Sequence, residues 1–228
     1  MKIQILDQGY IYLVEAWGSD ERIIEAARMS TAKGFNGWGT TEAPGDEKLL
    51  RFLYENRHDT PFEMAGAVIE VKAPILAFRE WQRHRTQSYN EMSARYVALP
   101  DENYVPSLDR VTTGGQSHIN KQSSGGAVPE ADALEWLAEL ADVYAHAQRV
   151  YESAIGRGIA KELARLPVPG ARYSRMRASA NLRNWLGFLT LRQSPKAQWE
   201  IRQFADGLHT LLTANFPRTM ALFDEARR

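Results

Sequence analysis

The stretch Ala73-Pro74-Ile75-Leu76-Ala77-Phe78-Arg79-Glu80-Trp81-Gln82-Arg83-His84-Arg85-Thr86-Gln87-Ser88-Tyr89-Asn90-Glu91-Met92-Ser93-Ala94-Arg95-Tyr96 joins an apolar helical segment to a dense polar one without a break. Pro74 suits the first turn of a helix, and Ile75, Phe78, Trp81 and Gln82 follow a helical spacing. That helix delivers Arg83, His84 and Arg85 at its end. Ser88 and Asn90 then favour a turn, and Arg95-Tyr96-Val97-Ala98-Leu99 reads as a short strand closed by Pro100. Adjacent guanidiniums suit phosphates, because each supplies a planar donor fork and stays charged at any working pH. The competing reading is a solvated basic helix end, which the helix dipole also welcomes.

Toward the N-terminus, Met64 to Ala73 alternates as a strand centred on Ala67-Val68-Ile69-Glu70-Val71-Lys72. Asp46 to Asn56 is a helix with Leu49, Leu50, Leu53 and Tyr54 on its apolar side, ending at Arg57-His58-Asp59-Thr60-Pro61-Phe62-Glu63, which alone is a turn into the strand. Residues 2 to 17 form a hairpin around Asp7-Gln8-Gly9. Gly18-Ser19-Asp20 caps a helix from Glu21 to Met29, with Ser30 and Thr31 at its exit. Lys33 to Gly39 is a glycine-rich loop that matches neither the dinucleotide fingerprint nor the phosphate loop.

Toward the C-terminus, residues 100–128 are polar and read as a long, mobile loop. Pro129 to Ile155 is the longest helical pattern, and its stripe of Leu134, Leu137, Leu140, Ala141, Tyr144, Ala147 and Tyr151 is read as core or subunit packing. His146 on it lacks a metal-ligand partner and is read as structural. Gly158 to Leu166 is a short helix with Arg165 at its end, broken by Pro167 and Pro169. Arg172, Ser174, Met176 and Ala178 alternate with Tyr173, Arg175, Arg177 and Ser179 in a strand with one wet face. Asn181 caps a helix from Leu182 to Leu191. Lys196 to Asn215 is a long C-terminal helix, followed by a short one from Pro217. Trp81, Trp185 and Trp199 are read as core. The expected architecture is α+β, a mainly antiparallel sheet flanked by helices, in a single domain over 1–228.

Lysines plus arginines equal aspartates plus glutamates at 28 each, so no global field favours DNA or a membrane surface. There is a local bias, however, since Leu163 to Trp199 contains seven basic residues and no acidic one. Cysteine is absent, which removes disulfides, thiolate metal sites and cysteine nucleophiles together. None of the five histidines forms a zinc pattern, and no metal is expected. Met1 to Asp7 has no signal-peptide core, and no apolar run approaches the roughly 20 residues that span a bilayer, so a cytoplasmic protein is expected. The basic strand from Arg172 to Arg177 leaves room for an RNA-binding reading, which the neutral net charge opposes.

Arg83-His84-Arg85, seven further residues and then Ser93 resemble the signature of the flavin-dependent thymidylate synthases. His58-x-Thr60-Pro61-Phe62-Glu63 resembles a second motif of that family, and Asn181, Arg183 and Arg192 fall where its C-terminal half carries functional residues. Gln116 to Gln122 looks like an active-site loop found in part of the family. The chain departs from the pattern at Met64, where a second histidine is frequent, and at Gly187, where asparagine or histidine is usual.

The resemblance implies conversion of deoxyuridylate (dUMP) to thymidylate (dTMP). Methylenetetrahydrofolate would supply the one-carbon unit and FAD reduced by NADPH the hydride. Ser30, Thr60, Glu63, Arg83, His84 and Arg85 would hold FAD, with Glu91, Asn181, Arg183 and Gly187. Glu80, Gln82, Arg83, Glu91 and Ser93 would face dUMP, with Ala94, Arg95 and Arg165. Arg192 would act on the uracil ring as the catalytic residue. Without a cysteine to add to C6, a fixed positive charge against N3 and O4 is an alternative way to favour enolate-like charge. The family's homotetramers, with sites shared between subunits, are the implied assembly. The departures at Met64 and Gly187 keep an NADPH oxidase or flavin reductase as the alternative.

Overall fold

A computed structural model describes residues 1–116 and 124–227. Strands β1 (Lys2–Ile5) and β2 (Gly9–Trp17) form the hairpin. Its turn needs Gly9, because a Cβ there would lie 2.7 Å from the Ile5 carbonyl oxygen and 2.8 Å from that of Lys72. Helix α1 (Asp20–Arg28) starts at Ser19, whose side chain accepts from Arg22 N, and leads to a 3-10 turn at Met29–Thr31. Helix α2 (Gly45–Glu55) and a second 3-10 turn (Thr60–Met64) precede strand β3 (Gly66–Pro74). Pro74 then sits at the N-cap of helix α3 (Ile75–Trp81).

Beyond α3 come strand β4 (Ser88–Glu91), helix α4 (Leu108–Thr112) and the two-stranded pair β5 (Gly115–Gln116) and β6 (Ser124–Gly126). Helices α5 (Glu130–Gly156) and α6 (Lys161–Ala164) lead to strand β7 (Tyr173–Asn181). Helices α7 (Leu182–Arg192), α8 (Trp199–Asn215) and α9 (Pro217–Glu225) follow. The main sheet has the order β1-β2-β3-β7-β4 with every pair antiparallel.

The sheet is two-faced, as alternation demands. Ala67, Ile69, Val71 and Ala73 of β3 and Met176, Ala178 and Ala180 of β7 turn inward, while Arg175 and Arg177 stand on the open face. Trp185 and Phe188 of α7 and Phe204, Leu208 and Leu211 of α8 fill the inner side. Trp81, Trp185 and Phe188 pack on one another with centroids 4.5–6.4 Å apart, a geometry that adds about 0.5–1.5 kcal/mol per aromatic pair beyond area burial. Both indoles are satisfied: Trp81 donates to Gln87 and Trp185 to the Ala67 carbonyl. The end of α3 is thereby fixed against α7. Trp199 is only partly buried, with the Arg110 guanidinium 5.3 Å over its ring.

Several expectations are corrected. Arg95–Leu99 is not a strand: the Ser93 carbonyl accepts from Tyr96 N and Val97 N at 3.0 and 3.2 Å, which curls the chain into a turn. The strand is instead Ser88–Glu91, at the edge of the sheet on β7. Residues 100–128 are not one loop, since they hold α4 and the β5–β6 pair. Apart from Gln116 in β5, the stretch from Gln116 to Gln122 lies outside the described residues.

The α5 stripe is core only near its C-terminal end, where Ala147 and Tyr151 are buried; Leu134 is 51% exposed. His146 on the same helix is exposed rather than packed. Arg172 precedes β7 and is fully buried, donating to Asn103, Gln148 and the Pro100 carbonyl. The basic strand therefore offers only Arg175 and Arg177 to solvent, and Arg177 faces Glu70 at 3.4 Å. Residues 196–198 precede the last long helix rather than opening it.

Candidate active site

Helix α3 ends where the polar motif begins, and helix α7 ends beside it. Arg192, the last residue of α7, reaches back across 112 residues of chain to Glu80. Its Nη1 donates to Glu80 Oε2 at 2.6 Å, its Nη2 to the Glu80 carbonyl at 2.7 Å and its Nε to His84 Nε2 at 2.8 Å. The position suits a cation, because a helix C-terminus carries partial negative charge.

His84 is half-buried, with its ring 4.7 Å from that of Phe188. Burial first, and then the Arg192 charge, push its pKa down to about 4, with Glu80 opposing. The imidazole is therefore neutral at neutral pH, with Nε2 as acceptor and the proton on Nδ1. Tyr89 locks the backbone behind it, donating to the carbonyls of His84 at 2.6 Å and Trp81 at 3.2 Å. Burial raises that phenol to about 12, so it stays a donor.

A second cluster forms where β3 and β7 begin and end together, with Gly66 opposite Asn181. Asn181 caps α7 by accepting from Asn184 N at 3.0 Å. Arg183, in the first turn, pairs with Glu63 at 2.5 Å and with Asp59 at 3.1 Å. Thr60, Asp59 and Arg183 line a hollow of about 470 Å³ with Ala27, whose carbonyl accepts from the Ser30 hydroxyl. Arg183 and Gly187 also line a cleft of about 730 Å³ bounded by α2, α7 and α9. A Cβ at Gly187 would meet nothing within 4 Å, so packing does not demand glycine there. Met64 is 54% exposed.

The third group lies on the other side of the motif. Gln82 donates to Glu91 at 3.2 Å, tying the end of α3 to the end of β4. Ser93 accepts from Arg95 N at 3.3 Å, and Ala94 is buried. Arg95 pairs with Glu162 of α6 at 3.1 Å, while Lys161 holds the Tyr96 carbonyl at 2.7 Å. Arg165 caps the same helix. Arg83 and Arg85 are exposed and meet no carboxylate among the described residues.

The chain thus unites Glu80, His84 and Arg192 at one point, Thr60, Glu63, Asn181 and Arg183 at another, and Ser93, Arg95 and α6 at a third. No contact among the described residues joins Arg95 or Arg165 to Arg192. Asp59, Tyr89 and Phe188 join the site although the sequence expectation does not include them. Asp59 sits inside the His58–Glu63 motif and was legible there; Tyr89 and Phe188 act only through the folded packing. Among the described residues no group of three or more histidine and acidic side chains converges to hold a metal.

A family profile described as thymidylate synthase complementing protein matches residues 12–218. The flavin-dependent thymidylate synthase of a Thermus thermophilus strain is 39% identical over 225 residues, covering 99% of this chain and 79% of the relative. That of Gluconobacter oxydans is 38% identical over 227 residues, covering 98% and 73%. Among solved structures, the UMP/dUMP methylase PolB from Streptomyces cacaoi bound with 5-Br dUMP superposes with a TM-score of 0.84 at 31% identity, covering 98% of this chain and 97% of that one. Sequence profile, relatives and superposed structure agree along nearly the whole chain, which belongs to the flavin-dependent thymidylate synthase family.

Proposed function

We propose that this chain forms dTMP from dUMP by reductive methylation, with methylenetetrahydrofolate as carbon donor, FAD as bound cofactor and NADPH as reductant, in the cytoplasm. The observation that carries the reading is Arg192, a guanidinium held from three sides at a helix end in a chain with no cysteine. Its two remaining N–H groups suit the N3 and O4 edge of uracil. Charge placed there stabilises the enolate-like form that makes C5 nucleophilic.

The residues fit a flavin dinucleotide. Arg83 and Arg85 offer two exposed forks, which meet no carboxylate among the described residues, to a diphosphate, and the open space at Gly187 beside Arg183 leaves room for a ring system. Ser30, Thr60, Glu63, Asn181 and Arg183 would complete its binding. When bound, the reduced flavin supplies the hydride that the protein's own side chains cannot. Arg95 and Arg165 would take the nucleotide phosphate, with Ser93 and Glu91 fixing its position. We assign the complete site to the homotetramer that the family resemblance implies, with neighbouring subunits sharing it, a reading supported by the lack of any contact between Arg95 or Arg165 and Arg192 among the described residues.

The test is to supply purified protein with FAD, NADPH, methylenetetrahydrofolate and dUMP and to measure dTMP. Omission of flavin or NADPH should abolish product. A parallel arm with UMP tests whether the ribonucleotide, named for the Streptomyces relative, is also used. NADPH consumption without dTMP would overturn the assignment in favour of a flavin reductase.

A further inference from the structure

Arg192 is not merely present at the site; it is oriented, and the residue that contributes most to that orientation is acidic. Glu80 engages two of the three guanidinium nitrogens, one through its carboxylate at 2.6 Å and one through its backbone carbonyl at 2.7 Å. His84 takes the third at 2.8 Å. Each nitrogen therefore has a fixed acceptor, and any swing of the plane breaks several hydrogen bonds at once. A guanidinium carries five N–H donors, so three engaged leave one on Nη1 and one on Nη2.

We infer that Glu80 is a positioning residue for the pyrimidine chemistry: with His84 it fixes the plane of Arg192, and its negative charge sets how strongly Arg192 polarises the ring. The inference rests on the function proposed above. It separates two properties of Glu80, acceptor and charge, that substitution can separate too. A carboxylate in contact with the guanidinium offsets part of the field that Arg192 projects onto N3 and O4. Glu80→Gln keeps an acceptor of the same shape and removes the charge, so orientation persists while polarisation rises. Glu80→Ala removes the side-chain acceptor and the charge together, so Nη1 loses its anchor and Arg192 is held only by the Glu80 carbonyl and His84. Among the described residues, the ionisable groups that face Arg192 are Glu80 from α3 and His84 and Tyr89 from the segment after it, and both variants leave His84 and Tyr89 in place.

The probe is 5-fluorodeoxyuridylate, whose N3 proton is more acidic than that of uracil and whose fluorine resonance reports its ionisation. The pH midpoint of the bound fluorine signal is measured in the parent protein and both variants, with flavin retention followed by absorbance. The N3 proton should be held less tightly in the bound nucleotide than in the free one. Glu80→Gln should weaken it about 3- to 10-fold further, the scale of one partly screened charge pair. Glu80→Ala should return the midpoint toward the free nucleotide and lower kcat for dTMP roughly 100-fold, with flavin retained.

A merely structural Glu80 would move both midpoints in the same direction or neither. Midpoints in both variants equal to the parent's, or a Glu80→Gln shift toward tighter proton binding, would overturn the inference. Should Glu80→Ala fail to fold, the direction of the Glu80→Gln shift decides alone. A parent protein that does not bind the nucleotide at all would instead bring down the proposed function and this inference with it.

Discussion

Arg192 and the pair Arg83 and Arg85 border the same short segment of chain yet are held in opposite ways. Arg192 is largely withdrawn from solvent, and each of its nitrogens has an acceptor. Arg83 and Arg85 stand in solvent on either side of His84. Arg95 falls between, exposed but facing Glu162, and an exposed pair of that kind is worth about 0–1 kcal/mol. On the roles proposed above, the difference follows from what each would meet. A cation that acts on an uncharged ring is useful only if its direction is fixed beforehand, since reorganisation at the moment of reaction costs rate. A cation that meets phosphate can stay loose, because the anion supplies long-range attraction and many approach directions serve.

The largest expected effect breaks the fixed end. Arg192→Ala should lower dTMP formation by about 1,000-fold or more while flavin absorbance stays with the protein; loss of flavin instead would move Arg192 to the other class. Next comes the proton on His84. Its imidazole should titrate near pH 4 by NMR rather than near the ordinary value of 6.5, and Arg192→Gln should raise that midpoint part of the way, since burial is the larger cause. Because the folded pKa lies below the unfolded one, the stability it contributes is complete above about pH 6.5 and is lost as pH falls toward 4.

The loose end should respond more gently. Arg83→Ala or Arg85→Ala should weaken FAD binding about 10- to 50-fold in equilibrium dialysis, with the gap to the parent narrowing as salt rises and the thermal midpoint unmoved. The smallest effect is a gain. Glu162→Ala releases Arg95 and should tighten nucleotide monophosphate binding about twofold by calorimetry, with no change in kcat.

What was legible in the sequence was local. Asn181 caps α7 as its residue type foretells, and α7 ends one residue from the expected boundary. Pro74 opens α3, and the Arg83–Arg85 motif follows where the periodicity put it. Most of the misreadings share one cause, that distant segments decide. Arg95–Leu99 has the composition of a strand, but the Ser93 carbonyl draws Tyr96 N and Val97 N into a turn. Ser88–Glu91 lacks that composition and becomes a strand because β7, some ninety residues later, is beside it. Arg172 looked like part of a wet strand, and acceptors at Pro100, Asn103 and Gln148 take it out of solvent. The Glu80–Arg192 pair spans 112 residues and leaves no pattern in either neighbourhood. For α5 the periodicity revealed an apolar stripe but not what covers it.

The sheet order has a consequence for the growing chain on the ribosome. Strand β3 is central, yet one of its two partners, β7, is about a hundred residues further on, with Pro74 opposite Tyr173. At about 5–20 residues per second, β3 waits roughly 5–20 s for that partner to be synthesised. Throughout that interval it presents an open backbone edge and the inward row Ala67, Ile69, Val71 and Ala73. Translation speed between α3 and β7 therefore governs how long a sticky intermediate exists, and slow codons in that stretch would cost yield without changing a single side chain.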